Sequence, residues 1–353
     1  MRSALAVCRA SNGHDGGVSL PPFACVGGLW GSDLVEVAGD SARLDDDGRW
    51  VTVLPYQGQG VFLRFKTWDV ERPAWVRDVW QGPMKDSWTS SLDEASYCAS
   101  VERTRDAIAR GDVYQANICR VMSAKTRTEH SLLGLFDLLT AGNPSPFASI
   151  VHAPLEGVEI VSASPELFLR RSGSTLTSGP IKGTGRTERD LLAKDSAENI
   201  MIVDLVRNDL SRVCVTGSVE VPRLLGIEEH PGLVHLVSEV TGTLLPNATW
   251  RQILEATFPP GSVTGAPKSA ALRIIKEQES VGRRFYCGAL GWIDRQGSEA
   301  ELAVTIRTFW REGDLLNFGT GAGITWESDA EAEWQETVLK ASRLIELAST
   351  EGS

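Results

Sequence analysis

Much of what would tie this chain of 353 residues to a membrane, a nucleic acid or an oxidising compartment is missing. No run of eighteen apolar residues occurs, and a helix needs about twenty to cross a bilayer, so no membrane association is expected. Positive charge is scarce: 35 Lys and Arg stand against 46 Asp and Glu, a net charge of -11. A phosphate backbone calls for a basic stripe, so no nucleic acid partner is expected either. The six cysteines (Cys8, Cys25, Cys98, Cys119, Cys214, Cys287) have no CxxC spacing and read as buried, reduced thiols of a cytoplasmic protein. The first residues begin like a signal peptide, but the apolar stretch stops at Cys8 and meets Arg9. Without a secretory signal, Asn247-Ala248-Thr249 is read as a chance match to a glycosylation acceptor.

What is present describes a globular chain with 42% hydrophobic and 23% charged residues. Residues 1–90 are rich in Gly and Trp and carry short apolar runs at Val51–Leu54 and Val61–Phe65, which predict strands joined by turns. A helix is predicted from Leu92 to Arg110, closed by Gly111. Strands are predicted over Asp112–Met122 and Ile150–Arg171, and a long helix over Leu191–Arg212. A final helix over Ser328–Leu347 opens with Ser328 and Glu331 at capping-box spacing. In that helix Trp334, Val338, Ala341, Ile345 and Ala348 predict the stripe that faces the core. Strands and helices alternate too irregularly for a parallel barrel, and one large α+β domain is expected.

Two glycine-rich runs are discounted. Gly319-Thr-Gly-Ala-Gly323 has no downstream partner strand and ribose acid, so a turn or a close backbone approach to another ligand fits better than a dinucleotide site. In Gly261-Ser-Val-Thr-Gly-Ala-Pro-Lys268 the lysine does not follow the second glycine as a phosphate loop requires. Pro267 fits the first turn of a helix, whose N-terminus would offer N–H groups to an anion.

Acids recur at helical spacing. Asp195 and Glu198 share one helical face, as do Glu333 and Glu336, with Lys340 four residues on. Singly, such pairs make solvated surface; facing one cavity, they would make an oxygen-rich site for a hard cation, Mg²⁺ above all. Lys182 lies between glycines in Ser178-Gly-Pro-Ile-Lys-Gly-Thr184. It reads either as an exposed turn lysine or as a desolvated amine with a lowered pKa and nucleophilic character.

Taken together, these segments resemble the chorismate-utilising enzymes, and most closely the aminodeoxychorismate synthase component I branch (para-aminobenzoate synthase component I). The resemblance rests on Gly-Asp-Val-Tyr-Gln-Ala-Asn at 111–117, Ser-Pro-Glu-Leu at 164–167, Gly-Pro-Ile-Lys-Gly-Thr at 179–184 and the run 194–210. It continues through Phe-Pro-Pro-Gly-Ser-Val-Thr-Gly-Ala-Pro-Lys at 258–268, Ile-Arg-Thr at 306–308 and the stretch 321–340. It implies large antiparallel sheets sandwiched between helical layers around a central cleft. Residues 91–353 would form the chorismate-binding catalytic region, with 1–90 a shortened part of the same fold.

The resemblance also implies a site. Mg²⁺ would link a chorismate carboxylate to Glu198 and Glu336, with Asp195 and Glu333 nearby. Arg307 matches a carboxylate clamp. Thr184, His235, Thr264, Gly265, Tyr286, Gly321, Gly323 and Lys340 match positions that line the substrate. Glu166 matches the general acid that protonates the departing ring hydroxyl, and burial would give it the raised pKa that role needs. Lys182 stands where anthranilate synthases have alanine and matches the lysine that attacks the ring, giving an adduct that ammonia displaces. Gln115 stands where isochorismate and salicylate synthases have a lysine base, which disfavours hydration.

The implied reaction converts chorismate and ammonia to 4-amino-4-deoxychorismate, for 4-aminobenzoate and folate. No Cys–His–Glu amidotransferase module is found, so ammonia is expected from a separate glutamine amidotransferase subunit (component II) or from solution. The chain departs from the family pattern in lacking the N-terminal half of a tryptophan pocket, although Asn143-Pro-Ser-Pro-Phe147 resembles the other half, and in carrying Pro260 for a common glycine. The rivals are anthranilate synthase component I, against which Lys182 argues, and an inactive scaffold that binds an amidotransferase, against which Glu166, Lys182, Glu198 and Glu336 argue together.

Overall fold

The computed structural model describes residues 20–185, 187, 193–230, 233–294 and 298–350. The expected N-terminal features around Cys8 and the first residues of the helix at 191–212 lie outside the described residues.

The expected α+β architecture is present, and its two antiparallel layers are halves of one continuous sheet. The first half runs from β6 (Gln115–Lys125) through β18 (Leu315–Ile324), β17 (Thr308–Glu312), β8 (Val158–Ser164), β7 (Phe147–Ala153) and β1 (Phe23–Val26) to β2 (Leu29–Ala38). The short strands β5 (Thr89–Ser90) and β14 (Gly265–Ala266) also pair with β6. From β2 the sheet passes to β4 (Val61–Asp69), β3 (Arg49–Leu54), β15 (Ala289–Asp294), β16 (Glu299–Val304), β9 (Leu167–Ser172), β10 (Thr175–Gly179) and β13 (Leu233–Thr243). Two further strands, β11 (Ile181–Gly185) and β12 (Glu220–His230), pair with β13.

The halves pack on each other. Val121, Ile160 and Trp310 of the first share a core with Trp50, Leu169 and Leu302 of the second, each buried side chain of this kind contributing about 1.5–3 kcal/mol. Four helices cover the first half: α1 (Glu94–Ala109), α2 (Leu133–Gly142), α5 (Lys268–Gln278) and α6 (Ala330–Ala348). Against the second half lie α3 (Ala193–Ser211) and α4 (Trp250–Thr257), through Ile202, Leu210 and Ile253.

Helix α1 ends where the sequence predicts, with Gly111 in the left-handed region at φ +78°. The stretch 150–171 divides into β7, β8 and β9, because Pro154 and left-handed Gly157 turn the chain after β7 and Pro165 interrupts it after β8. Pro267 is the N-cap of α5 and not its first-turn residue. Helix α6 is capped by Asp329, whose carboxylate accepts from the Ala332 amide at 2.9 Å. The expected cap Ser328 instead donates to Glu333 at 2.7 Å. That bond turns α6 so that Glu333 and Thr337 face inward with Ala341, Leu344, Ile345 and Ala348, while Val338 is exposed. The described cysteines are all free, four of them buried and Cys98 partly so.

Candidate active site

Lys182 lies on a strand, not on the expected turn, because β13 pairs with β11 on both sides of Gly183. The register shifts between Lys182 and Thr184, leaving Gly183 as an extra residue at φ +79°. Such a bulge re-aims the neighbouring side chain. Only glycine fits here, because a Cβ at this φ would lie 2.9 Å from the Cβ of Asp195 on α3. The bulge sends Lys182 to Glu198, also on α3, with Nζ 2.7 Å from Oε1. Both side chains are largely buried, at 13% and 20% exposure.

This geometry corrects one expectation. Burial alone would pull the Lys182 pKa down, but Glu198, Glu166 and Glu336 together outweigh it and hold the amine above its ordinary value. Lys182 is therefore stored as an ammonium ion on Glu198.

The same oxygen of Glu198 accepts from the side-chain amide of Gln115 at the start of β6. Gly319, Gly321 and Gly323, for which a turn or a close backbone approach to a ligand was the expectation, alternate along β18 and face neighbours that leave no room for a Cβ. At Gly323 it would come within 2.1 Å of Gln115 Nε2 and 2.6 Å of Glu198 Oε1. The glycine run is thus a clearance in a strand floor.

Glu166, between β8 and β9, is 4% exposed. Burial pushes its carboxyl up to about 7, against the partial opposition of the Ser262 hydroxyl, the Lys182 charge and the Ile181 amide. An acid so poised can hold a proton near neutrality and release it. Ser262 gave no signal in the sequence as a partner of Glu166, since the contact forms only when the loop before α5 folds over β9.

Arg307, between β16 and β17, adopts φ +52° and accepts the Ala163 amide on its carbonyl at 3.0 Å. Among the described residues no carboxylate meets its guanidinium, and burial alone pulls its pKa below the ordinary value. A desolvated, unpaired guanidinium is a receptor for a planar anion.

The remaining expected residues fall at different depths. Lys340 pairs with Glu336 at 2.6 Å and donates to the Gly321 carbonyl at 3.2 Å, which brings α6 to the rim of the β18 floor. Glu333 is buried on Ser328, and Asp195 packs against Gly183. Thr264 and Gly265 lie beside Gln115: Asn117 N donates to Thr264 O at 2.9 Å, and Gly265 pairs with Ala116. The Thr264 hydroxyl is spent on Pro260 O at 2.8 Å. His235 is buried opposite Thr184 in the β11–β13 register, while the Thr184 side chain lies outside the described residues. Tyr286 is buried with its ring over Gly319, where a Cβ would come within 2.1 Å of it.

Among the described residues no three His, Cys, Asp or Glu side chains gather into a ready metal cluster. Glu198 and Glu336 nonetheless both act on the Lys182 charge, and Mg²⁺ takes one or two carboxylates and completes its shell with water and substrate oxygens. The residues present fit that mode.

The profile of the chorismate binding enzyme family matches residues 77–346. An anthranilate synthase component I-like protein of Synechocystis is 38% identical over 75% of this chain and 56% of its own length. Aminodeoxychorismate synthase component 1 of Escherichia coli is 34% identical over 84% of this chain and 68% of its own length. This chain thus spans little more than half to two thirds of such relatives. Among solved structures, anthranilate synthase component I of Streptococcus pneumoniae superposes with a TM-score of 0.77 at 23% identity, covering 96% of this chain and 95% of that one. The isochorismate synthase MenF of Escherichia coli superposes with a TM-score of 0.75 at 17% identity, covering 93% and 89%. Both likenesses establish the fold.

Proposed function

This chain belongs to the chorismate binding enzyme family, and we propose that it converts chorismate and ammonia to 4-amino-4-deoxychorismate. The observation that carries this reading is a buried amine, Lys182, poised between a metal-type carboxylate, Glu198, and an acid whose pKa lies at about 7, Glu166.

Arg307 supplies the charge for one substrate carboxylate. Mg²⁺, held by Glu198 and Glu336 with Asp195 and Glu333 nearby, would neutralise the acids that keep Lys182 protonated and let a second carboxylate of the substrate enter. With its proton released to solvent water, the Lys182 amine attacks the ring, the ring double bond shifts, and the C–O bond of the hydroxyl breaks. Glu166 gives its proton to the departing oxygen, which leaves as water. Ammonia then attacks the carbon that bore the hydroxyl, and the bond to Lys182 breaks with its electron pair returning to the amine. The new ring ammonium yields a proton to Glu166, which restores the acid. Thr264, Gly265, Gly321, Gly323, Lys340, Thr184, His235 and Tyr286 shape or back this cleft in the same reading.

The ammonia would come from a glutamine amidotransferase partner (component II), and the product would serve 4-aminobenzoate and folate formation in the cytoplasm. The anthranilate synthase relatives at 36–38% identity favour a second reading, in which the amine goes to the ring carbon next to the carboxylate-bearing one and pyruvate leaves. Incubating the purified chain with chorismate, MgCl₂ and ammonium chloride, then identifying the product by mass and fluorescence, separates the two. The proposed reading requires non-fluorescent aminodeoxychorismate; fluorescent anthranilate would replace it with the second, and no turnover would replace it with the inactive scaffold.

A further inference from the structure

We propose that Asp209 and Lys268 recharge Glu166 with its proton from behind the cleft, through a small polar cavity that holds one water. The inference rests on Glu166 as the acid of the proposed reaction and adds the route by which that acid regains its proton.

Lys268, the first residue of α5, and Asp209, near the end of α3, take no part in the chemistry of the cleft. They meet each other: Lys268 Nζ lies 2.6 Å from Asp209 Oδ2 and also donates to the Thr257 carbonyl at 3.0 Å. The Asp209 side chain is 7% exposed and that of Lys268 18%, so the pair runs from the interior to the solvent edge. A pair taken out of water adds little net stability, so stability alone does not account for it.

Beside the pair lies a cavity of about 10 Å³, with Glu166, Ser178, Asp209, Thr257 and Ser262 in its wall. Lys182, Glu198 and Arg307 are not in that wall, which separates the cavity from the substrate side of Glu166. Its size is that of one water, and the carboxyls and hydroxyls around it supply the partners an internal water needs. Among the described residues Glu166 and Asp209 are the titratable groups that line it. The charges that act on them come from Lys182 on Glu166, and from Lys268 and Arg212 on Asp209.

Glu166 is 4% exposed, and bound chorismate would cover its face toward Lys182. A proton reaching it then must come from behind. One moves from Lys268 to Asp209, from Asp209 to the water and from the water to Glu166, each group giving a proton as it takes the next. The Lys268 amine, at the solvent edge, recovers its own from bulk water. Burial favours the protonated form of Asp209 against the opposing Lys268 and Arg212 charges, which brings the intermediate carboxyl within reach.

The test is Asp209→Asn in the full chain, read as chorismate consumption with MgCl₂ and ammonium chloride. Below about pH 7 Glu166 holds its proton unaided. Above it the open site loses that proton between turnovers, and the acid must regain one once chorismate is bound. The variant should therefore lose about twofold or less at pH 6 and about tenfold or more at pH 8. If leaving Lys268 unpaired prevents folding, Asp209→Asn combined with Lys268→Met removes both charges together and is read in the same way. In the Glu166→Gln background, which has no proton to regain, Asp209→Asn should add no pH-dependent loss. An equal loss at both pH values would overturn the inference, since a merely structural pair costs the same at each. So would an undiminished rate at pH 8. Failure of the underlying reading shows separately, in the product made by the unmodified chain.

Discussion

Replacing Glu166 by Gln should slow turnover and stabilise the protein, and the second effect should depend on pH. Glu166 is 4% exposed, and burial carries its carboxyl from 4.5 to about 7. That step corresponds to roughly 3 kcal/mol. Because the folded pKa lies above the unfolded one, the folded state binds the proton more tightly. The resulting stability is complete below pH 4.5 and is lost as pH rises through about 7. Above that, wild type must bury a charge that the glutamine variant does not carry. Thermal unfolding of both proteins at pH 5 and pH 8 isolates this group, since every other titration is shared. The variant should unfold near the wild-type temperature at pH 5 and a few degrees above it at pH 8. Turnover should fall by a factor on the order of 10², and the decline of wild-type rate above about pH 7 should vanish from the residual rate. If the stability difference were equal at both pH values, Glu166 would not be the desolvated acid that the account requires.

Three further outcomes are expected. Arg307→Met should raise the chorismate KM by about tenfold or more while leaving the ammonium KM nearly unchanged, as steady-state kinetics would report. Arg283 is fully buried and ties Glu279, the Val263 carbonyl and the Asn117 carbonyl together. Arg283→Met should therefore cost about 3–5 kcal/mol in denaturant unfolding, and Arg283→Lys should not rescue it, for want of the guanidinium fork. EDTA should abolish chorismate turnover and excess MgCl₂ should restore it; a rate indifferent to both would remove the cation from the site.

The legible part of this protein was local or chemical. The predicted end of α1 at Gly111 and the long helix at 191–212 follow from periodicity and capping, and α3 and α1 lie where expected. Lys182 is legible as a lysine between glycines and Glu198 by its helical spacing, Glu166 only through the resemblance, and the fold brings the three together. What stayed hidden depends on contacts between distant segments. Whether Lys182 would carry a lowered or raised pKa turned on carboxylates from other elements, and their number decided it. The glycine run at 319–323 leaves a turn and a close backbone approach both open, because composition does not reveal that Tyr286, Gln115 and Glu198 crowd that face of β18. The rotation of α6 escaped for a similar reason: polar Glu333 and Thr337 take core positions by hydrogen bonding to Ser328 and Arg120, and Val338 is left outside.

The central claim is that the Lys182 amine bonds to the substrate ring. Intact-protein mass spectrometry after mixing the purified chain with chorismate and MgCl₂, without ammonium, tests it most directly. The account predicts a covalent mass equal to chorismate less water, mapped by digestion to Lys182, absent in Lys182→Ala and discharged on adding ammonium. Full aminating turnover by Lys182→Ala, with no adduct on the unmodified chain, would contradict it.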